Sequence, residues 1–252
     1  MIALSLIGIG TGNPKHLTLQ AIDAMNACDL ILIPRKGDNK DDLAETRRQI
    51  CAQVLNENGP RICEFDLPVR DADNPNYRAG VDDWHDAIAE TWMRELRRGL
   101  PDGGRAGFLV WGDPSLYDST LRIVERLKAK MELMLEVTPG ITSIQALTAS
   151  HAITLNEIGA PVLITTGRQL RDNGWPEDAD TIVVMLDGSC AFQVLEPGHL
   201  DIWWSAYAGM PQEVSISGAL GDVADEIITR RKALKDENGW IMDIYLLRRR
   251  SR

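Results

Sequence analysis

Nowhere in this 252-residue chain do two cysteines stand at C-x-x-C spacing. Cys28, Cys51, Cys63 and Cys190 are scattered, and so are the four histidines, His16, His85, His151 and His199. A metal site or a disulfide framework needs such residues gathered. Neither is expected, and the cysteines read as reduced packing thiols. The chain also lacks a Gly-Lys-Ser/Thr run, which excludes a phosphate-gripping P-loop. No apolar run approaches the length of a membrane span. The stretch Met1-Ile2-Ala3-Leu4-Ser5-Leu6-Ile7 has neither a basic n-region nor a cleavage site, so it reads as a strand rather than a signal peptide. A cytoplasmic location is therefore expected. Positive charge is short as well: 27 Lys and Arg face 37 Asp and Glu, a net charge of -10. That balance argues against a nucleic-acid partner, which requires a basic face to neutralise phosphates. It leaves room for an anionic small molecule held by a few local arginines.

What the chain does have is enough apolar content, 44%, to bury a real core. Its length suits one large α/β domain or two smaller ones. Continuous apolar runs at Ala3 to Ile7 and Leu30 to Ile33 predict strands covered on both faces. The second run is expected to stop at Pro34. Thr18 can cap a helix carrying Leu19, Ile22 and Met25 on one side. A helix is expected from Leu43 to Asn58, a strand from Ile62 to Leu67, and a surface loop over Pro68 to Gly80. Trp84, Ile88, Trp92 and Leu96 recur at helical spacing and read as core. Strand and helix alternate up to about residue 137, which argues a mostly parallel sheet. Beyond it come a helix from Ser143 to His151 and strands at Val162 to Thr166, Thr181 to Leu186, Ile202 to Ala208, Glu213 to Ser217 and Trp240 to Leu247. Several are joined by short loops, so a mixed sheet is expected. The predicted domains are 1–137 and 138–252, both α/β. The basic tail Arg248 to Arg252 reads as a solvated, frayed end.

Three turns stand out at strand ends. They are Gly8-Ile9-Gly10-Thr11-Gly12-Asn13-Pro14, Trp111-Gly112-Asp113-Pro114-Ser115-Leu116, and Thr138-Pro139-Gly140-Ile141-Thr142-Ser143. In open α/β sheets the ligand crevice lies outside the carboxyl ends of the strands. Glycines there let a ligand approach main-chain N–H and C=O groups. Asp113 adds a carboxylate, and Thr142 and Ser143 add hydroxyls. The set suits a zwitterionic ligand with an amino group, a carboxylate and hydroxyls. A dinucleotide site is the competing reading of the first turn, but Asn13 stands where that fingerprint needs its third glycine, and the second strand ends in Pro34-Arg35-Lys36 without the acidic ribose partner.

The motifs Gly8-Ile9-Gly10-Thr11-Gly12, Trp111-Gly112-Asp113-Pro114 and Pro139-Gly140-Ile141-Thr142-Ser143 resemble, in order and spacing, the three signatures of the tetrapyrrole (corrin/porphyrin) methylases. The resemblance runs over essentially the whole chain. It departs at Thr11-Gly12-Asn13, where most members read Pro-Gly-Asp, and at Met185-Leu186-Asp187, where many read Tyr-Met-Gly. It implies a two-domain fold with a mostly parallel N-terminal sheet, a mixed C-terminal sheet and an active site in the cleft between them. It also implies S-adenosylmethionine as methyl donor, S-adenosylhomocysteine as product, a tetrapyrrole as substrate and a homodimer. The Thr11 variant and the run from Pro34 to Leu43, continuing through Arg47 and Ile50, resemble the branch that methylates ring carbon C-1 of a corrin precursor and releases its extruded acetyl group as acetate.

Carried over residue by residue, the family's cofactor site falls on Thr11, Trp111, Asp113, Leu116, Thr142 and Ser143, with Leu186 and Gly209 flanking the adenine. A corrin precursor carries several carboxylates, so an acidic protein needs local cations to hold it. Arg35 and Lys36, which follow the second strand, are the candidates. No general base for the deacetylation is identifiable; Tyr117 and His85 qualify by residue type alone. Siblings acting on another corrin carbon, on diphthamide or on ribosomal RNA share the three turns. The acidic balance opposes RNA, the Pro34 to Leu43 run favours a corrin, and an NADP-dependent oxidoreductase is the remaining alternative.

Overall fold

The computed structural model describes residues 1–35, 42–69 and 77–250. They form two compact units, Met1–Thr142 and Ser143–Arg252.

The first unit is built on five parallel strands: β1 (Ile2–Gly8), β2 (Leu30–Arg35), β3 (Arg61–Asp66), β4 (Gly104–Val110) and β5 (Leu133–Thr138). Their order across the sheet is β3-β2-β4-β1-β5. Period-two alternation sends successive apolar residues to opposite faces. Ile7, Ile31, Ile33 and Leu109 meet α1 (Leu19–Asn26) and α2 (Asp42–Val54) through Ala21, Met25, Ala44 and Ile50. Leu4, Leu6, Leu30, Leu32 and Phe108 meet α3 (Tyr77–Gly99) and α4 (Thr120–Lys128) on the other face. There Ile88, Trp92 and Leu96 are buried, and Trp92 stacks on Phe108 with ring centroids 4.1 Å apart. The tryptophan-rich helix is thus core, as its spacing predicts. β1 and β4 are neighbours, yet the helices that leave them, α1 and α4, cross opposite faces. Such a divergence leaves a crevice between the two strand ends.

Several boundaries differ from expectation. Strand β2 runs through Pro34 to Arg35, and α2 ends at Val54. Pairing of β2 with β4 stops at Leu32, so the proline, which has no N–H, falls where one flank of the strand is already unpaired. The loop expected over 68–80 lies partly outside the described residues, and α3 has begun by Tyr77. Ser119 is the N-cap residue of α4 but makes no side-chain cap. The Asp118 carboxylate instead accepts the Thr120 N–H at 2.6 Å.

The second unit carries β6 (Val162–Thr166), β7 (Thr181–Met185), β8 (Leu200–Ala206), β9 (Val214–Ala219) and β10 (Asp243–Arg249) in the order β6-β7-β10-β8-β9. Only β6 and β7 pair in parallel, so the sheet is mixed. Helix α5 (Ser143–Ser150) packs on β8 and β10, α6 (Gly167–Asn173) follows β6, and α7 (Leu220–Asn238) lies along β8 and β9. The core gathers Trp204, Tyr207, Tyr245 and Phe192 with Ile227 and Leu234 of α7. Of the tail expected to be frayed, Arg248 to Arg250 are held in place, and Ser251 and Arg252 lie outside the described residues. Arg248 pairs with Glu157 at 2.9 Å and lies over Trp203, Arg249 lies over Trp175, and Arg250 pairs with Asp201.

Candidate functional site

At the carboxyl edge of the first sheet, three turns are stitched together through main chain and one carboxylate. Ile9 donates its N–H to the Val110 carbonyl at 2.9 Å, and Gly112 donates to Gly10 at 2.7 Å, closing an antiparallel bridge between Gly10 and Gly112. The third turn joins through Asp113, whose Oδ2 accepts the Gly140 N–H at 2.9 Å. Its Oδ1 accepts the Ser115 N–H at 2.8 Å and the Ser115 hydroxyl at 2.5 Å. Contact between the turns is backbone to backbone. A Cβ on Gly8 would stand 2.6 Å from the Gly140 nitrogen and 2.8 Å from the Gly112 oxygen, and one on Gly140 would fall inside van der Waals contact with that same oxygen.

Burial alone would push the Asp113 carboxyl up, but hydrogen bonds from the Ser115 hydroxyl and from the Gly140 and Ser115 amides outweigh it and hold it below the usual carboxylate range. Asp113 is therefore a charged tie at neutral pH. Thr11 is buried, and its hydroxyl meets His16 Nδ1 at 3.0 Å. Leu116 donates its N–H to the Asp113 carbonyl, and Thr142 lies beside Gly112. Thr11, Trp111, Asp113, Leu116 and Thr142 thus gather on one edge, at the switch between β1 and β4.

Ser143, Leu186 and Gly209 belong to the second unit. Ser143 opens α5. Strands β7 and β8 both pair antiparallel with β10, which lies between them, so they run in the same direction. Leu186 just beyond β7 and Gly209 just beyond β8 consequently share one edge, two strand spacings or about 10 Å apart across the sheet. Leu186 is 67% exposed and has a positive φ of 53°. An apolar β-carbon residue held in that conformation stores strain that neighbouring structure must maintain. Asp187 supplies that structure. Its buried carboxylate accepts the Ser189 N–H at 2.9 Å, the Ala191 N–H at 2.6 Å and the Tyr245 hydroxyl at 2.7 Å. Arg231 donates to the Asp187 carbonyl at 2.8 Å and pairs with Asp243 at 2.8 Å, and Asp243 also accepts the Trp204 indole N–H. Gly209 is fixed by its own N–H, donated to Glu213 at 2.7 Å.

Of the two cations expected to hold a substrate, Lys36 lies outside the described residues. Arg35 is ion-paired with Asp66 at 3.0 Å and is 3.9 Å from Glu64. Arg47, which the sequence marks only as part of the run following Pro34, lies on α2. Its Nε donates to the Leu109 carbonyl at 3.0 Å, its Nη1 to the Leu43 carbonyl at 3.2 Å, and its guanidinium carbon lies 5.3 Å from the centre of the Trp111 ring. Burial lowers its pKa to about 10, which leaves it charged at neutral pH. His85, a candidate by type, is buried on α3, where burial and the nearby Arg126 guanidinium lower its pKa against the pull of Asp82 and Asp86. Among the described residues no group of three His, Cys, Asp or Glu could hold a metal ion, and no helix is long and apolar enough to cross a membrane.

A parallel sheet with three fused strand-end turns, followed by a mixed sheet, defines a class. The chain belongs to the tetrapyrrole (corrin/porphyrin) methylases, whose family profile matches residues 3–224. Among individual relatives, it is 51% identical over 251 residues to a precorrin-6A synthase [deacetylating] of Sinorhizobium sp, spanning 99% of this chain and 96% of that protein. It is 38% identical to the crystal structure of a cobalamin synthesis related protein (CobF) from Corynebacterium diphtheriae, with a TM-score of 0.85 and full coverage of both chains. A uroporphyrin-III C-methyl transferase from Thermus thermophilus, solved in complex with S-adenyl homocysteine, shares the fold at 18% identity and a TM-score of 0.60 over 97% of this chain and 91% of that one.

Proposed function

We propose that the protein is an S-adenosylmethionine-dependent C-methyltransferase of cobalamin biosynthesis. It methylates ring carbon C-1 of precorrin-5 and releases acetate, giving precorrin-6A and S-adenosylhomocysteine. The observation that carries this reading is the 51% identity, over nearly the full length of both chains, to a precorrin-6A synthase [deacetylating]. A fold neighbour holding S-adenyl homocysteine supports the cofactor.

The residues present fit that cofactor. Asp113 keeps its negative charge at the edge that gathers Thr11, Trp111, Leu116 and Thr142. Thr11, Trp111, Asp113, Leu116, Thr142 and Ser143 would hold the amino-acid and ribose portions. Leu186 and Gly209 would face the adenine. When bound, the cofactor supplies an electrophilic methyl group on a sulfonium. The chain's own work is to position that methyl against a carbon nucleophile and to keep bulk water out, because in-line displacement depends chiefly on alignment. Addition of one water to the extruded acetyl carbonyl and cleavage of its bond to the ring release acetate and two protons, and leave on C-1 the electron pair that the methyl group takes up. The fused turns favour alignment, since a rigid main-chain platform loses little freedom on binding.

Incubation with precorrin-5 and labelled methyl donor tests the reading, scoring methyl incorporation and acetate together. Methylation without acetate would assign another ring carbon. Saturating S-adenosylhomocysteine should raise the melting temperature, because it binds the native state alone, and NADP should not. A shift with NADP and none with S-adenosylhomocysteine would favour an oxidoreductase.

A further inference from the structure

Three arginines lie where the second strand and the second helix approach the sheet's carboxyl edge, and they differ in how their charge is met. Arg35 is paired with Asp66 and lies near Glu64. Arg48 is paired with Glu45 and Glu64. Arg47 has no carboxylate partner among the described residues. Its two hydrogen bonds go to backbone carbonyls, which leaves three of its five N–H groups without an acceptor among the described residues. The carboxylate that acts on it through space, Asp118, forms no ion pair with it and has one oxygen occupied by the Thr120 N–H.

A second, independent vacancy adjoins it. The Trp111 ring on which Arg47 rests has a buried indole N–H with no acceptor. A buried donor left unpaired costs about 1–3 kcal/mol, and a partly buried charge without a counter-charge costs more. Both are donors, both belong to the corner formed by α2 and the end of β4, and among the described residues no carboxylate serves either. The missing partner must accept hydrogen bonds and carry negative charge.

We propose that Arg47, with the Trp111 indole N–H beside it, is the anchor for a substrate carboxylate. The proposal rests on the reading of the substrate as a corrin precursor bearing several carboxylates. A carboxylate arriving at Arg35 has to displace Asp66; at Arg47 it displaces nothing. Two oxygens of one carboxylate can take guanidinium N–H groups in paired geometry, and the Trp111 ring fixes the guanidinium plane from below. The protein can therefore remain strongly acidic overall and still hold an acidic substrate. Among the described residues of this corner, Arg47 is the cation without a carboxylate partner, and it lies at the turn that also carries the proposed cofactor residues.

The test uses the full chain and a stable probe, uroporphyrin, a tetrapyrrole carrying eight carboxylates, with S-adenosylhomocysteine binding measured on the same preparations. Arg47→Gln should weaken uroporphyrin at least 10-fold and change S-adenosylhomocysteine affinity by less than 2-fold. Arg47→Lys should recover part of the loss, since a lysine keeps the charge without the fork. Trp111→Phe should give a smaller loss, and Arg35→Gln a smaller loss than Arg47→Gln. Unchanged uroporphyrin binding in Arg47→Gln overturns the anchor, as does a parallel fall in S-adenosylhomocysteine affinity, which would make Arg47 a prop for the Trp111 turn. Failure of the wild-type protein to bind uroporphyrin overturns it too, whereas methyl transfer to precorrin-5 and acetate release report separately on the proposed activity.

Discussion

The carboxylate of Asp113 and the amide of Gly140, 27 residues apart in sequence, are joined by a hydrogen bond of 2.9 Å. That bond ties the turn after β4 to the turn after β5. It makes Asp113 a part of the platform's construction as well as a charge facing the crevice.

Replacing Asp113 with Ala removes three hydrogen bonds at once, two of them from backbone amides. The expected loss of stability is about 1–3 kcal/mol, read by denaturant unfolding, with weaker S-adenosylhomocysteine binding. Asp113→Asn should keep the acceptor toward Gly140 and lose less stability. Equal stability for the wild type and Asp113→Ala would show that the tie contributes nothing.

Gly140→Ala places a methyl group against main chain that has no flexible end to yield. A cost of about 3 kcal/mol is expected, with the melting temperature lowered and cofactor binding lost. Circular dichroism on heating measures the first, and calorimetric titration with S-adenosylhomocysteine the second. A variant that folds and binds normally would mean the turns can separate without penalty.

Arg231 and Asp243 form a buried pair that also carries the Asp187 carbonyl and the Trp204 indole. Arg231→Met strands the Asp243 charge and should cost about 3–5 kcal/mol. The double change Arg231→Met with Asp243→Leu should restore a good part of it. Tyr245→Phe removes one donor to Asp187 and should cost less, about 1–3 kcal/mol.

His85 and His151 both have pKa values held below the ordinary 6.5, in each case chiefly by burial. A proton is then bound more readily by the unfolded chain. Stability is unaffected by these groups well above pH 6.5 and falls as the pH drops through that value toward the lower folded-state pKa. Asp113 acts in a lower window: its depressed pKa adds stability above the unfolded carboxylate value, which is lost as the pH falls toward the folded one. Melting temperature followed from pH 7.5 to 5.5 should decline, and less steeply in a variant with both histidines replaced by Gln. Identical slopes would assign the decline to other groups.

Much of the first unit is legible because glycine, proline and aspartate punctuate it where strands end. The turns at Gly8, Trp111 and Gly140 declare themselves as local signals. What joins them does not, since a bond from Asp113 to Gly140 depends on register between strands. The exclusion of Arg35 as a free cation has the same cause: Asp66 comes beside it only once β2 and β3 pair. Helix α7 gives little signal in the sequence because its buried residues, Leu220, Ile227 and Leu234, are spaced seven apart among charged ones, a thin stripe for an amphipathic helix. Asp187 looks in sequence like a departure from a glycine-bearing pattern. Its role as a buried acceptor emerges only when Tyr245, 58 residues on, folds against it.

The backbone joint among Gly8, Gly112 and Gly140 has a consequence for how such a protein can change over generations. A hinge pinned by side chains ties every nearby residue to the task of holding it. This one is pinned by peptide groups and a single carboxylate, that of Asp113, so the other residues around it are released from that duty. Mutation can then retune the rim of the crevice toward a new acceptor carbon or a differently decorated ring, one side chain at a time, while the floor stays where it is. The debt falls on Asp113 and the glycines: Gly8 and Gly140 have no room to accept even a methyl group, and Gly112 holds a positive φ of 59°.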